Sequence, residues 1–273
     1  IGGKVLNFGA ATKFEATPEN SSNRVVLLEF FTNAHLEAAI GGALGNEGAL
    51  SHFPRKHVAA LSYHLPTPEM EPLVTPLALD TAPKRQVRPD RPTVQVVDGV
   101  LKAPGAARDF QKVAVYNRVR RAILERLKVP STHSLAMAVK HDGDEISGAL
   151  TIEGPAFSGL RAYIVLAEKG VLFPGKSKVV IHRMVARAGL LGGSEGVPLD
   201  ADKTSHRIPF SASLNAIQKA NEAYLDKLAA ESKGSARRLS TRIDPEQVTL
   251  VAYVRDASGA IVQAMQIDPE ILE

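Results

Sequence analysis

"RVVLLEFFTNAHLEAAIGG", from Arg24 to Gly42, is the stretch on which the reading of this chain turns. Val25–Phe31 is apolar except for Glu29 and shows no alternation, the texture of a strand buried on both faces. A short polar turn follows Thr32, and a helix pattern covers 36–50, weakened by Gly41, Gly42, Gly45 and Gly48. Chemistry often sits where a strand turns into a helix, because backbone donors converge there and a helix start favours anions and thiolates. Here the turn holds Asn33, Ala34, His35, Leu36, Glu37, Ala38 and Ala39, an almost inert set.

On either side of this turn the chain reads as alternating strands and helices. "VAALSYH" (58–64) is a second buried strand, and a Pro-rich stretch over 65–92 holds one helical turn near 77–82. "PTVQVVDG" (92–99) is a third strand closing on an Asp-Gly turn. A helix over 110–129 puts Val115, Val119, Ile123 and Leu127 on one face and ends at Pro130. Beyond Pro130 the pattern becomes mainly β. Hairpins are expected around Asp142–Asp144 and Asp256–Gly259, with further strands over 160–168 and 178–187. An amphipathic helix over 211–233, capped by Ser211 or Ser213 and ended by Gly234, interrupts them. Residues 1–23, rich in Gly, Asn, Ser and Thr, read as an N-terminal extension.

Composition narrows the chemistry. The chain has 273 residues, enough for two domains, with 44% hydrophobic and 23% charged residues, as in a folded protein. Its net charge of +4 is spread along the sequence, unlike the concentrated basic face of nucleic-acid binding. No run approaches the ~18 apolar residues of a membrane span. There is no cysteine, which removes disulfides, thiolate nucleophiles, zinc–thiolate sites and dithiol redox chemistry. The start at Ile1, without an initiator Met or a signal-peptide pattern, gives the expectation of a processed mature chain.

Taken in order, "LLEFFTNAH" with its following helix, "LSYHLPTPEMEPL" and "RPTVQVVDG" resemble bacterial secreted thioredoxin-like proteins. Members of that family read E-F-T-x-x-x-C-x-x-C after the first core strand. They carry Y-H at the end of the second strand and a cis-proline before the third. "VVIHRMVARAGLLGGSEGVPL" and "VTLVAYVRDASGAIVQAMQI" are similar to the β-rich extension some members carry. The resemblance spans about 24–267. It implies a thioredoxin-like α/β domain over 24–129, then a mainly-β, β-sandwich-like domain over 130–273 with the inserted helix 211–233. It places the two redox cysteines on Leu36 and Ala39 and the cis-proline on Pro92. Thiol–disulfide exchange needs an attacking and a resolving thiol, and Leu36 and Ala39 supply neither.

The expected function is therefore that of a redox-inactive binding, scaffolding or assembly subunit. The resemblance places it outside the cytoplasm, in the periplasm or at the cell surface. Its expected partners are other protein subunits, with no cofactor, no metal, no nucleic acid and no membrane span. The expected interaction surface comprises His35, Leu36, Ile40, His64 and Pro92. The alternative is a metal-binding or hydrolytic enzyme using the neighbourhood of His35 and His64, with Glu29 and Glu69 nearby, although no HxH or HExxH spacing supports it.

Three further patterns have ordinary readings. "GVLFPGKS" (170–177) fits the phosphate-loop pattern, but Pro174 removes a donor and the next residues read as a strand, so a tight turn between antiparallel strands is preferred. "RVRRAILERLK" reads as a solvated basic helix face, and Asp142, Asp144 and Glu145 as ordinary turn residues. "GLLGGSEGVP" (189–198) reads as a flexible Gly-rich loop and a contact surface.

Overall fold

The computed structural model describes residues 23–67, 69–88, 91–231 and 242–271. Apart from Asn23, the N-terminal extension over 1–23 lies outside the described residues, as do the last residues of the helix read to 233.

The first half runs β1 (Val26–Thr32), α1 (Ile40–His52), β2 (Val58–His64), α2 (Pro76–Lys84), β3 (Val94–Val97), β4 (Leu101–Pro104) and α3 (Lys112–Leu127). The second half begins with β5 (Ser134–Asp142), β6 (Glu145–Glu153), β7 (Arg161–Leu172), β8 (Ile181–Gly189) and β9 (Val197–Pro198). It continues with β10 (Ser205–Ser213), α4 (Leu214–Glu231), β11 (Val248–Arg255), β12 (Ile261–Ile267) and β13 (Glu270–Ile271). Helix α2 is longer than the turn read near 77–82. The Thr75 side chain accepts from the Ala78 amide at 3.2 Å, and Pro76 fills the first position, where its missing N–H goes unused. Ser213 caps α4 by accepting from the Ala216 amide at 3.0 Å, and Asp144 in the β5–β6 turn accepts from the Asn215 amide at 2.8 Å.

β1 is buried along its whole length, parallel to β2 and antiparallel to β3. β3 turns back into β4 through Asp98 and Gly99, both at positive φ. "VAALSYH" is buried on both faces and needs hydrogen-bonding neighbours on both edges. β8 supplies the second, pairing in parallel with β2 through Ser62 and Val185. With β8 come β7, β11 and β12, giving the sheet order β12-β11-β7-β8-β2-β1-β3-β4, with β9 on β7. The sheet thus runs on across Pro130, where the sequence reading placed a separate sheet. A small second sheet, β10-β6-β5-β13, packs on one face of this extension. Ile146, Leu150 and Ile152 meet Ile164, Leu166 and Leu250 there, while Tyr163, Val165, Val251 and Tyr253 turn to the other face and join Leu27, Phe31 and Tyr63. β7 and β11 are therefore buried on both sides, which is why "YIVLA" and "VTLVAYV" show no alternation.

The glycines that weaken α1 as a helix let it approach its neighbours. A Cβ on Gly42 would lie 2.1 Å from the Gly105 carbonyl oxygen, and one on Gly45 would lie 2.5 Å from Val115 Cγ1. Alanine gains about 1 kcal/mol in helix propensity. Overpacking against fixed backbone costs about 1–3 kcal/mol and no rotamer relieves it. Gly42→Ala is therefore expected to lower stability by up to about 2 kcal/mol, seen as a reduced denaturant midpoint. A raised midpoint would contradict the close approach.

Candidate functional site

The turn after β1 lies at the carboxyl ends of β1 and β2, which the register Thr32–His64 brings side by side. Asn33 shapes it. The buried Asn33 side chain donates to the Leu65 and Glu69 carbonyls at 2.6 and 2.8 Å and accepts from the His35 amide at 2.7 Å. Leu36 is half-buried, and its carbonyl accepts from the Ala39 amide at 2.8 Å to open the first helical turn. Ala39 is buried. On one flank Ala107 N–H donates to the Ala38 carbonyl at 2.6 Å, so the strand-to-helix segment after β4 closes over the start of α1.

Behind the turn lies a polar cluster that the sequence reading found only in part. His64, at the end of β2, is bound through Nδ1 to Glu71 Oε1, and Glu71 Oε2 accepts from the Ala34 amide at 2.5 Å. His182 from β8 meets His64 edge-on, with ring centroids 5.0 Å apart, and donates from Nε2 to the Phe173 carbonyl at 2.9 Å. His64, Glu71, Asn33 and His182 are all buried. Burial, with the Arg187 guanidinium, holds His64 down to about 3. Burial and the neighbouring His64 hold His182 down to about 4, and burial pushes Glu71 up to about 8. At neutral pH Glu71 therefore keeps its proton and donates it to His64 Nδ1, while both imidazoles stay neutral.

The partners differ from those expected by sequence. Glu69 does not join His64; it pairs at the surface with Lys176. Glu29 faces away from the cluster and forms a buried pair with Arg85, Nε lying 3.0 and 2.8 Å from its carboxylate oxygens. Glu71 and His182 were missed. Glu71 stands in irregular chain, where periodicity gives no facing. His182 did carry a signal, since it occupies an inward position of an alternating strand. Of the five residues expected to form a surface, His35, Leu36 and Ile40 are half-buried and reach solvent, whereas His64 and Pro92 are buried.

The segment that fits the phosphate-loop pattern turns out to be the cover of this cluster. Gly170–Leu172 ends β7, residues 173–180 form the hairpin loop, and β8 follows without a helix. The loop's donors meet the protein's own carbonyls. Ser177 N–H reaches Ala34 O at 2.9 Å, Lys178 N–H reaches Gly175 O at 3.2 Å, and Phe173 N–H reaches Val180 O at 2.9 Å. Gly175 lies against the turn so closely that a Cβ would stand 2.1 Å from the Ala34 carbonyl oxygen. The Phe173 ring meets the His35 ring edge-on, with centroids 5.6 Å apart. The Gly-rich stretch 189–198 lies elsewhere, tied to the end of α2 by Lys84 with Glu195 at 2.6 Å.

Chemically, the arrangement is a buried, hydrogen-bonded acid–imidazole pair. His64 Nε2 is buried without a hydrogen-bond partner among the described residues. Among those residues no group of three or more His, Asp or Glu side chains is arranged to hold a metal ion. No described helix is long and apolar enough to cross a membrane.

No protein-family model matches the sequence, and no curated protein does. Solved structures do. The chain is similar to HBP35 of Porphyromonas gingivalis, at 14% identity and a TM-score of 0.65, over 91% of this chain and 76% of that one. It is also similar to protein AGR_C_4864 from Agrobacterium tumefaciens, at 13% identity and a TM-score of 0.54, over 93% of this chain and 98% of that one. At such identities the likeness establishes a shared α/β plus β-rich fold and carries no activity across.

Proposed function

We propose that this protein is a thioredoxin-like, redox-inactive subunit that acts outside the cytoplasm by binding other proteins, without catalysis. The observation that carries the reading is the turn after β1. Where the family resemblance puts two reactive thiols stand a half-buried Leu36 and a buried Ala39, and the strongly perturbed groups behind them, His64, Glu71 and His182, are buried. The order β1-α1-β2-α2-β3-β4-α3, with β1 central, parallel to β2 and antiparallel to β3, supports the thioredoxin-like part. The extracytoplasmic part rests on the sequence resemblance.

The accessible part of the surface is His35, Leu36 and Ile40, and Leu36 is its largest apolar group along with Ile40. Covering apolar area is worth roughly 25 cal/mol per Å², and a charge left under a partner costs more. Leu36→Asp is therefore expected to weaken binding of co-purifying proteins by roughly tenfold or more, while the half-exposed position tolerates the charge and circular dichroism stays unchanged. Affinity purification from the native source identifies those proteins, and titration against the variant measures the loss. Unchanged affinity for every one of them rules the turn out as the interface.

A further inference from the structure

We propose that the β7–β8 loop, residues 173–180, is an acid-released strap: protonation of His182 frees it and uncovers the turn at 34–39. The inference concerns the loop itself and holds whether or not the turn binds a partner.

The geometry supplies both a tie and a weakness. The tie has three parts: Ser177 N–H on the Ala34 carbonyl at 2.9 Å, His182 Nε2 on the Phe173 carbonyl at 2.9 Å, and Gly175 seated on the Ala34 backbone. The ion pair of Lys176 with Glu69 is half-exposed and adds little. The weakness is the small apolar area that holds the hairpin tip down. Leu172, Val180 and Ile181 are 73%, 48% and 53% exposed, so lifting the loop sacrifices few buried contacts.

The groups around His182 decide what a proton does there. His64 faces it from β2, Glu71 from the segment after β2, and His35 from the turn across Phe173. Arg187, further along β8, is paired with Glu168 of β7 at 2.6 Å and acts on His64. Glu71 and the carbonyls of Phe173 and Val179 favour an imidazolium at His182, and burial together with the neighbouring His64 outweighs them. Burial and His64 hold His182 down to about 4, so the charge forms in mild acid and only when water reaches it. Because the loop is what keeps water out, local opening admits water at lower cost than unfolding the sheet.

The absence of cysteine makes a clean probe possible. Ser177 is buried at 2% exposure, and Ser177→Cys places a single thiol beneath the loop. Its reaction with 4,4′-dithiodipyridine, which labels thiols in acid as well as at neutral pH, is compared with that of an unfolded peptide carrying the same thiol. Protection is expected to fall roughly tenfold or more between pH 6.5 and pH 4, with the tyrosine near-ultraviolet dichroism unchanged. Adding His182→Gln, which keeps a donor for Phe173 but cannot titrate, is expected to hold the thiol protected at pH 4. Adding Gly175→Val instead is expected to expose it already at pH 6.5. The proposal is overturned by equal protection at both pH values, by acid exposure that persists with His182→Gln, or by exposure that appears only as the tyrosine signal collapses. Full protection with Gly175→Val would overturn the Ala34 contact as the tie.

Discussion

Arg85→Ala is expected to destabilise the protein by about 3–5 kcal/mol, the size of loss seen when one partner of a buried ion pair is removed. Glu29 stands in the middle of β1 with no solvent exposure, and both carboxylate oxygens are held by Arg85 Nε. The guanidinium, itself 3% exposed, lies over the Tyr253 ring at 5.9 Å. Burial pushes the Tyr253 hydroxyl up to about 12, so it stays a neutral dipole beside the ion pair. Alanine at position 85 leaves an uncompensated carboxylate in the core and a hole where α2 meets the sheet. The Lys128–Glu125 pair, 68% and 59% exposed, is the contrast: Lys128→Ala is expected to move stability by less than about 0.5 kcal/mol. If the buried charge causes the loss, Glu29→Leu combined with Arg85→Met should recover most of it, because a well-packed apolar pair replaces a buried ion pair at little net cost. Urea unfolding of the three variants decides the matter. A loss below about 1 kcal/mol for Arg85→Ala, or no recovery in the double variant, would show that Glu29 is neutralised in some other way.

What the sequence made legible follows from the range of its signals. The strand, turn and helix around Asn33 could be read because period and breaker residues act locally, and the missing thiols could be read because a reaction needs particular atoms. The β2–β8 pairing could not be read, since Ser62 and Val185 are far apart in sequence and neither segment states its neighbour. The same holds for Glu69 and Glu71 in "PEMEPL", two carboxylates in irregular chain, of which one faces solvent and Lys176 and the other the core and His64. The glycines of α1 misled in a different way. A propensity scale counts them as losses to an isolated helix, whereas Gly42 and Gly45 set how near the helix comes to Gly105 and Val115. The phosphate-loop match shows the converse. A pattern of glycines and a lysine marks a tight backbone turn, and here the Ser177 amide is taken up by the Ala34 carbonyl rather than left for an anion.

The cluster behind the turn is expected to give stability a maximum near pH 6.5. His64 and His182 titrate near 6.5 when unfolded and are held down to about 3 and 4 when folded. Their contribution is present above pH 6.5 and is lost as pH falls. Glu71 moves the other way, from 4.5 unfolded up to about 8 folded, so its contribution is present below pH 4.5 and is lost as pH rises toward 8. Each proton bound by one state and not the other changes stability by about 1.4 kcal/mol per pH unit. From pH 6.5 to 8 the unfolded histidines lose their protons while folded Glu71 keeps most of its own, so stability falls with a slope that stays below that value. From pH 6.5 down to 4.5 the unfolded histidines bind two protons against the one on folded Glu71, and stability falls again. Glu71→Gln isolates the carboxyl, since the amide still accepts from Ala34 and donates to His64 but cannot titrate. Subtracting the unfolding free energy of this variant from that of the parent cancels every other group. The difference is expected to fall steadily, by about 1.4 kcal/mol per unit, between pH 5 and pH 8. Loop release acts through His182, which is common to both proteins, so it does not enter this difference above pH 6.5. A difference independent of pH would mean that the folded Glu71–His64 pair holds no proton at neutral pH, with Glu71 ionised and His64 neutral.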